Sequence, residues 1–231
     1  MPSTNTPKRV IKVIVAAAQN NAIGRNSDIP WQLKNELAYF TKMTRTIKLP
    51  KDLQKENNQV TKDATYVYFG DKKKRVLNAC IMGRRSWESI PLKFRPLNHR
   101  YNIVLTSNKD LLAKENSPLV AQAKDLDEAL QLIDELNNNS HSDIYIQDVF
   151  AIGGHGVYKA SMESPNQVEL FLTRVQFPEA DSCDTFFPEI NSNIFSRQSF
   201  EALQERVPFE IQKGVVQENG LQYEYQLFLK S

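Results

Sequence analysis

Glu36 is an acidic residue at the edge of an apolar helical stripe. At about 100° per residue, the segment 33–44 places Leu33, Leu37, Phe40 and Thr44 on one face, with Glu36 on its shoulder. A carboxyl group held beside apolar side chains resists ionisation, and such a group can supply a proton near neutral pH. The alternative is a solvated carboxylate at the side of the helix.

Two strand-to-helix junctions contain residues that suit phosphate groups. GRRSW, residues 83–87, puts Arg84 and Arg85 in the first turn of a predicted helix, where positive charge is unfavourable without a bound anion. GGHGVYK, residues 153–159, departs from the dinucleotide fingerprint because Lys159 stands where the third glycine belongs. Solvated arginines and a tight turn are the alternatives. Two such junctions at carboxyl ends of strands favour one ligand with several phosphates.

Three further polar residues have open interpretations. Arg100 begins a predicted strand, where a surface arginine is common. Thr173 shares strand parity with Phe171 and Val175, so its hydroxyl should face the core and bond either to backbone or to a buried acid. Asp28 is interpreted first as a turn residue of the sequence NSD. None of these residues identifies an activity by itself.

Strands and helices alternate along the chain. Strands are predicted at 10–18, 76–82, 101–107, 144–152 and 168–175, and helices at 33–44, 84–89 and 126–136 and after 153. Asp125 with Glu128 predicts a capping box, and Asn219-Gly220 predicts a hairpin. The pattern predicts one α/β domain with a mostly parallel sheet of about eight strands, helices on both faces and an antiparallel C-terminal edge hairpin.

Composition is that of a globular protein. The chain has 231 residues, of which 41% are hydrophobic and 24% charged, and its net charge is +2, so neither nucleic acid nor a membrane is predicted as a partner. The apolar run VIVAAA is too short to span a bilayer. Cys80 and Cys183 match no metal or redox spacing, so we expect no metal and a reduced, cytoplasmic protein.

The predicted domain covers residues 10–231. Residues 1–9 are expected to form a disordered tail, and residues 45–75, which lose apolar periodicity, to form a surface insertion. The run DKKKR at 71–75 could be an import signal or an RNA contact, but a solvated loop is the favoured interpretation.

Seven blocks, in their order along the chain, resemble dihydrofolate reductase: VIVAAAQNNAIGRNSDIPW, LKNELAYF, IMGRRSWESIP, RPLNHRYNIVLT, AIGGHGVYK, LFLTRV and SCDTFFPEI. The resemblance implies NADPH-dependent reduction of 7,8-dihydrofolate to 5,6,7,8-tetrahydrofolate, with hydride transfer to pterin C6 and protonation at N5. This reaction supports one-carbon metabolism and thymidylate synthesis. The resemblance also implies a monomer that binds dihydrofolate and antifolate molecules.

The resemblance assigns catalytic roles to Glu36, Trp31 and Thr173. Glu36 would bind the pterin and assist its protonation, Thr173 would hydrogen-bond Glu36, and Trp31 would hold an ordered water. Arg100 would pair with the α-carboxylate of the glutamate tail. The implied substrate-binding residues are Ile14, Val15, Ala16, Glu36, Leu37, Phe40, Thr41, Ile90, Leu97, Arg100, Ile152, Tyr158 and Thr173.

The same resemblance assigns a cofactor site, with the loop 22–28 closing over the nicotinamide and a Gly153-Gly154 bond that is usually cis in the family. Ser107 and Asn108 replace an arginine that vertebrate members use for the 2′-phosphate, which leaves Arg84 to supply charge. The implied cofactor-binding residues are Ala16, Ala22, Ile23, Gly24, Asp28, Ile29, Gly83, Arg84, Arg85, Ser86, Leu105, Thr106, Ser107, Asn108, Ile152, Gly153, Gly154, His155, Gly156, Val157 and Tyr158.

Two other functions are alternatives. A protein with this fold could bind NADPH or nucleic acid without turnover, although the presence of Glu36, Trp31 and Arg100 argues against it. The reductase of riboflavin synthesis shares the fold, but it should lack the combination of DIPW and LKNE, and its substrate would not need Arg100.

Overall fold

The computed structural model describes residues 9–49, 59–60, 65–69 and 71–231. Its helices are α1 (Lys34–Arg45), α2 (Arg84–Ser89), α3 (Leu126–Asn138), α4 (His155–Glu163) and α5 (Phe200–Arg206). Its strands are β1 (Val10–Ala18), β2 (Ala22–Gly24), β3 (Gln59–Val60), β4 (Thr65–Phe69), β5 (Lys72–Gly83), β6 (Arg100–Leu105), β7 (Val120–Ala123), β8 (Ile144–Gly153), β9 (Gln167–Gln176), β10 (Thr185–Phe186), β11 (Phe195–Arg197), β12 (Val215–Glu218) and β13 (Leu221–Lys230).

One large sheet organises the described residues. Its middle runs β9-β1-β8-β5-β6-β7 with every neighbouring pair parallel. Strand β13 pairs antiparallel with β9 and carries β11 and β12 on its outer side, while β4 and β3 add antiparallel to the first half of β5. The predicted fold class, a mostly parallel sheet with an antiparallel C-terminal hairpin, is confirmed.

Helices cover both faces of the sheet, as predicted. Alternate residues of β1 point to opposite sides, so Val13 joins a buried cluster with α3 and α4, whereas Ile14 joins a cluster with α1, α2 and α5. None of the described helices is long and apolar enough to cross a membrane.

Both local signals in the sequence form in the structure, although the Glu128 carboxylate of the capping box accepts from the Lys124 N–H and not from that of Asp125. The Asp125 carboxylate accepts a hydrogen bond of 2.9 Å from the Glu128 backbone N–H and caps α3. Asn219 and Gly220 have positive φ values of 49° and 76° and join β12 to β13, as a two-residue hairpin turn requires.

The prediction that DKKKR is a loop is wrong, although Asp71, Lys72 and Lys73 are exposed to solvent. Strand β5 begins at Lys72, and residues 72–76 form an antiparallel ladder with β4. Lys74 is only 3% exposed, and its ammonium group donates to the carbonyl oxygens of Asn137 and Asn139 at 3.2 and 2.8 Å. Part of the expected insertion therefore extends the sheet. Residues 1–8, 50–58, 61–64 and 70 lie outside the described residues.

Replacing Lys74 with methionine should lower the free energy of unfolding by about 1–2 kcal/mol, because the carbonyl groups at the end of α3 lose a cationic donor. Lys72→Met, which removes an exposed lysine from the same strand, is the matched control and should have little effect. Urea unfolding of both variants tests the contribution, and equal midpoints for the two would contradict it.

Candidate active site

Glu36 and Thr173 meet between α1 and the sheet. Thr173 lies on β9 and is 1% exposed, and its hydroxyl donates a hydrogen bond of 3.3 Å to Glu36 Oε1. The pKa of the Glu36 carboxyl is raised from 4.5 to about 7. Burial is the main cause, the hydrogen bond from Thr173 opposes it, and the nearby charge of Glu218 adds a smaller increase. The carboxyl group can therefore hold or release a proton near neutral pH.

Helix α1 is rotated relative to the predicted apolar stripe. Tyr39 and Met43 are its large buried side chains, whereas Leu37 is 58% exposed. Tyr39 fixes this orientation because its ring packs 4.3 Å from the ring of Tyr225 on β13. As a result Glu36, one turn before Tyr39, lies toward the sheet and not on a shoulder, and Leu37 is left at the surface.

Large apolar side chains remain exposed around α1 and the segment after α2. Ile29, Leu92 and Phe94 are 60%, 77% and 58% exposed. Phe40, Ile90 and Leu97 are partly buried and border the same buried cluster. Exposed apolar groups concentrated in a few segments are typical of a binding surface.

Arg100 is buried at the carboxyl end of α1, although a surface position was the simple expectation. It is 6% exposed, and its guanidinium donates to the Thr44 hydroxyl at 2.9 Å and to the Asn98 carbonyl at 3.1 Å. Desolvation lowers the pKa of Arg100. The carbonyl end of a helix stabilises a cation at this position.

The two glycine-containing junctions lie side by side at the carboxyl edge of the sheet. The register pairs Met82 with Gly153 and Gly83 with Leu105, which brings the segments after β5, β6 and β8 together. Thr106, Ser107 and Asn108 follow β6 at this edge.

Close packing explains the glycines of the second junction. The Gly153-Gly154 peptide is cis, and Gly153 has a φ of +133°. A Cβ on Gly153 would lie 3.3 Å from the Ser86 hydroxyl oxygen, and one on Gly154 would lie 3.4 Å from the same atom. Glycine at both positions therefore allows the two junctions to pack together, with Arg84 and Arg85 exposed beside them.

Some implied site residues belong to the opposite face of the sheet. Val15 and Val157 pack in the cluster under α3 and α4, so a ligand beside Glu36 could contact Val15 only through its backbone. Tyr158 is buried in the same cluster, and its hydroxyl lies 3.1 Å from the carbonyl oxygen of Ile14 and 2.9 Å from that of Ile152. The side chain of Ile14 packs in the cluster with α1, and that of Ala16 borders the cluster that contains Trp31 and Leu33.

The loop 22–28 is held by the segment around the block SCDTFFPEI, to which the resemblance assigned no site role. Strand β2 pairs with β10, Arg25 forms an ion pair of 2.8 Å with Glu179, and the Asn26 backbone N–H donates to the Asp184 carboxylate at 2.8 Å. Asp28 is exposed, and its carboxylate accepts a hydrogen bond of 2.8 Å from the backbone N–H of the next residue, Ile29. This geometry is typical of a turn residue. No periodicity or spacing marks Asp184, since its partner is 158 residues away.

Trp31 is buried a few residues before α1. It is 7% exposed, packs edge-on against Phe177 at 5.6 Å and belongs to the cluster that Ala16 borders. Thr41 and Phe40 are partly buried on α1. The described residues thus provide one half-buried acid, a hydroxyl partner, a buried arginine, exposed apolar side chains and a glycine-rich edge.

Comparisons with known proteins agree with one another. Residues 10–50 and 59–215 match the family model described as dihydrofolate reductase. The chain is 38% identical to dihydrofolate reductase of Gallus gallus, over 96% of this chain and 97% of that protein. It is 36% identical to the Heliothis virescens protein of the same name, over 95% and 97% of the two chains. The solved Schistosoma mansoni dihydrofolate reductase shares the fold, with a TM-score of 0.66, 24% identity and coverage of 96% and 98%.

Proposed function

The chain belongs to the dihydrofolate reductase family, and on this premise we propose that it reduces 7,8-dihydrofolate to 5,6,7,8-tetrahydrofolate with NADPH. The observation that carries the proposal is the Glu36 carboxyl, which has a pKa of about 7 and accepts a hydrogen bond from Thr173. A protonated acid at neutral pH is what protonation of a weakly basic ring nitrogen requires.

Glu36 binds the amino and ring N–H groups of the pterin and supplies the proton for N5, through water where N5 is beyond its direct reach. Thr173 keeps the carboxyl oriented toward the ligand. Trp31, which is nearly buried, limits the entry of solvent on this side and holds the ordered water. When bound, NADPH supplies the hydride that C6 accepts.

The exposed apolar side chains bind the rest of the substrate. Leu37 and Phe40 pack against the pterin from α1, and Ile90 and Leu97 enclose the benzoyl group. The buried guanidinium of Arg100 pairs with the α-carboxylate of the glutamate tail. The same surface would bind antifolates, since they present similar ring systems.

The glycine-rich edge fits a dinucleotide. Because Gly153 and Gly154 have no Cβ, their backbone packs closely against Ser86. The first N–H groups of α4 have no side-chain cap and are available to a phosphate. Arg84 and Arg85 add positive charge. We expect the 2′-phosphate to depend on Arg84, because Ser107 and Asn108 carry no charge.

One assay tests the proposal. Purified protein should oxidise NADPH only when dihydrofolate is added, and the rate with NADH in place of NADPH measures the cofactor preference. A folded protein that binds NADPH but shows no dihydrofolate-dependent oxidation would favour a binding protein without turnover.

We also propose that the enzyme is monomeric and cytoplasmic. Cys80 and Cys183 are free and buried, which suits a reducing compartment. Light scattering after size-exclusion chromatography measures the first property, and localisation of the tagged full-length chain measures the second.

Replacing Thr173 with valine should raise the KM for dihydrofolate roughly fivefold, because a neutral hydrogen bond contributes about 1 kcal/mol. That bond lowers the pKa of Glu36, so its loss should also move the alkaline decline of turnover to higher pH. Thr173→Ser keeps the hydroxyl and is the matched control. A decline that moves to lower pH in the valine variant would contradict the assignment.

A further inference from the structure

Helix α1 lacks an N-terminal cap from its own sequence. Its N-cap residue is Leu33, which has no side-chain acceptor for the first backbone N–H groups. The Asn35 N–H is instead bonded by both carboxylate oxygens of Glu218, at 3.1 and 3.2 Å, from 183 residues away. A carboxylate at a helix N-terminus satisfies orphan donors and interacts favourably with the helix dipole.

The C-terminal hairpin holds this cap in place. The hydroxyl of Tyr223, a residue that is 1% exposed, donates to Glu218 Oε2 at 3.2 Å. The side chain of Asn219 donates to the Gln32 carbonyl oxygen at 2.7 Å. These contacts join β12 and β13 to residues 32–35, which immediately precede Glu36 in the chain. The hairpin therefore determines where α1 begins and how Glu36 is presented.

Glu218 also places a second carboxyl group near that of Glu36. The titratable groups whose charges interact with that of Glu36 come from four elements; they are Tyr39 of α1, Tyr158 of α4, Glu218 of β12, and Tyr223 and Tyr225 of β13. The other members of this set of described groups are tyrosines, whereas Glu218 is a carboxylate. Its negative charge opposes ionisation of Glu36. The group that caps the helix thus also affects the acid that the helix carries.

We propose that Glu218 is a positioning residue for the reaction, which acts through Glu36 by fixing the start of α1 and by keeping a negative charge beside the acid. The inference rests on the proposed role of Glu36 as the proton source. The C-terminal hairpin would then help to set the pH range of the enzyme. This hairpin lies outside the glycine-rich edge and outside the exposed apolar side chains of the candidate site.

The decisive variant is Glu218→Gln, which keeps one side-chain oxygen as an acceptor for Asn35 and removes the charge. Turnover should be nearly that of the wild-type enzyme at pH 5 and roughly two- to fivefold lower at pH 8. The reason is that a nearby charge shifts the pKa of Glu36 by a fraction of a unit at the effective dielectric of a protein surface. Turnover lowered by one factor at every pH would overturn the inference.

Two control variants separate charge from structure. Tyr223→Phe removes a hydrogen bond to Glu218 and keeps its charge, so the pH profile should stay in place. Glu224→Gln removes a carboxylate of the same hairpin that pairs with Arg197, and it too should leave the profile unchanged. A shift in either variant as large as that of Glu218→Gln would overturn the inference, since it would point to a loosened hairpin or to a long-range charge effect.

A measurement without turnover separates this inference from the proposed function. Carbon-13 NMR of the side-chain carboxyl of Glu36 reports its ionisation in the ligand-free protein. We expect the midpoint to fall in Glu218→Gln, and an unchanged midpoint would overturn the inference whatever the enzyme catalyses. A shifted midpoint in a protein without dihydrofolate-dependent NADPH oxidation would support the coupling of the two acids and reject the proposed function.

Discussion

Replacing Glu36 with glutamine is expected to lower turnover of dihydrofolate by roughly 10²–10⁴-fold at neutral pH, which is the usual contribution of a general acid. Glutamine has nearly the same size and still hydrogen-bonds to Thr173, so the fold and NADPH affinity should be preserved. The variant lacks the ionisable group that has a pKa of about 7 in the wild-type protein.

The loss should shrink as the pH falls, because the substrate then takes its proton from solvent. Steady-state rates from pH 5 to pH 9 measure this dependence. NADPH affinity, measured by fluorescence quenching, serves as the control for folding. Near-normal turnover at neutral pH would remove Glu36 from the catalytic step.

Glu36→Gln should also change how the free energy of unfolding depends on pH. The folded-state pKa of Glu36 is raised from 4.5 to about 7, so between these values the folded protein binds more protons than the unfolded chain. The free energy of unfolding contributed by Glu36 therefore decreases as the pH rises from 4.5 through 7. In Glu36→Gln the free energy of unfolding should not show this decrease. Chemical unfolding of both proteins at pH 5 and pH 8 would detect the difference.

Replacing Arg100 with lysine is expected to raise the KM for dihydrofolate roughly 10- to 100-fold with little change in kcat, because lysine cannot form the paired hydrogen bonds of a guanidinium with a carboxylate. Since Arg100 lies far from the pterin end of the proposed substrate, the chemical step should be nearly unaffected.

A dihydropterin that lacks the glutamate tail provides the matched control. The wild-type and Arg100→Lys enzymes should reduce it with the same KM. Equal increases in KM for both substrates would mean that the substitution acts through α1, whose Thr44 hydroxyl bonds to Arg100 at 2.9 Å. That result would contradict binding of the tail by Arg100.

Local patterns predicted the elements well because their causes are local. The apolar run at 10–18 predicts the buried strand β1, the Asp125 carboxylate caps α3, and the Asn219-Gly220 turn forms its hairpin. The lysines before Val76 were misinterpreted because charge favours a solvated loop, whereas pairing with β4 and the carbonyl groups after α3 places Lys74 inside. These partners are distant in sequence, so no local pattern contains them.

The same distinction between local patterns and distant partners applies to the candidate site. The sequence by itself determined the fold class, the family and the individual residues Glu36, Thr173 and Arg100, since residue types and their order carry that information. Only the tertiary structure decided that α1 turns Glu36 toward the sheet, that Arg100 is buried, and that Glu218 caps the helix. Orientation and burial depend on packing between segments far apart in the chain, and this environment shifts the pKa of a group from the value that its chemical type sets.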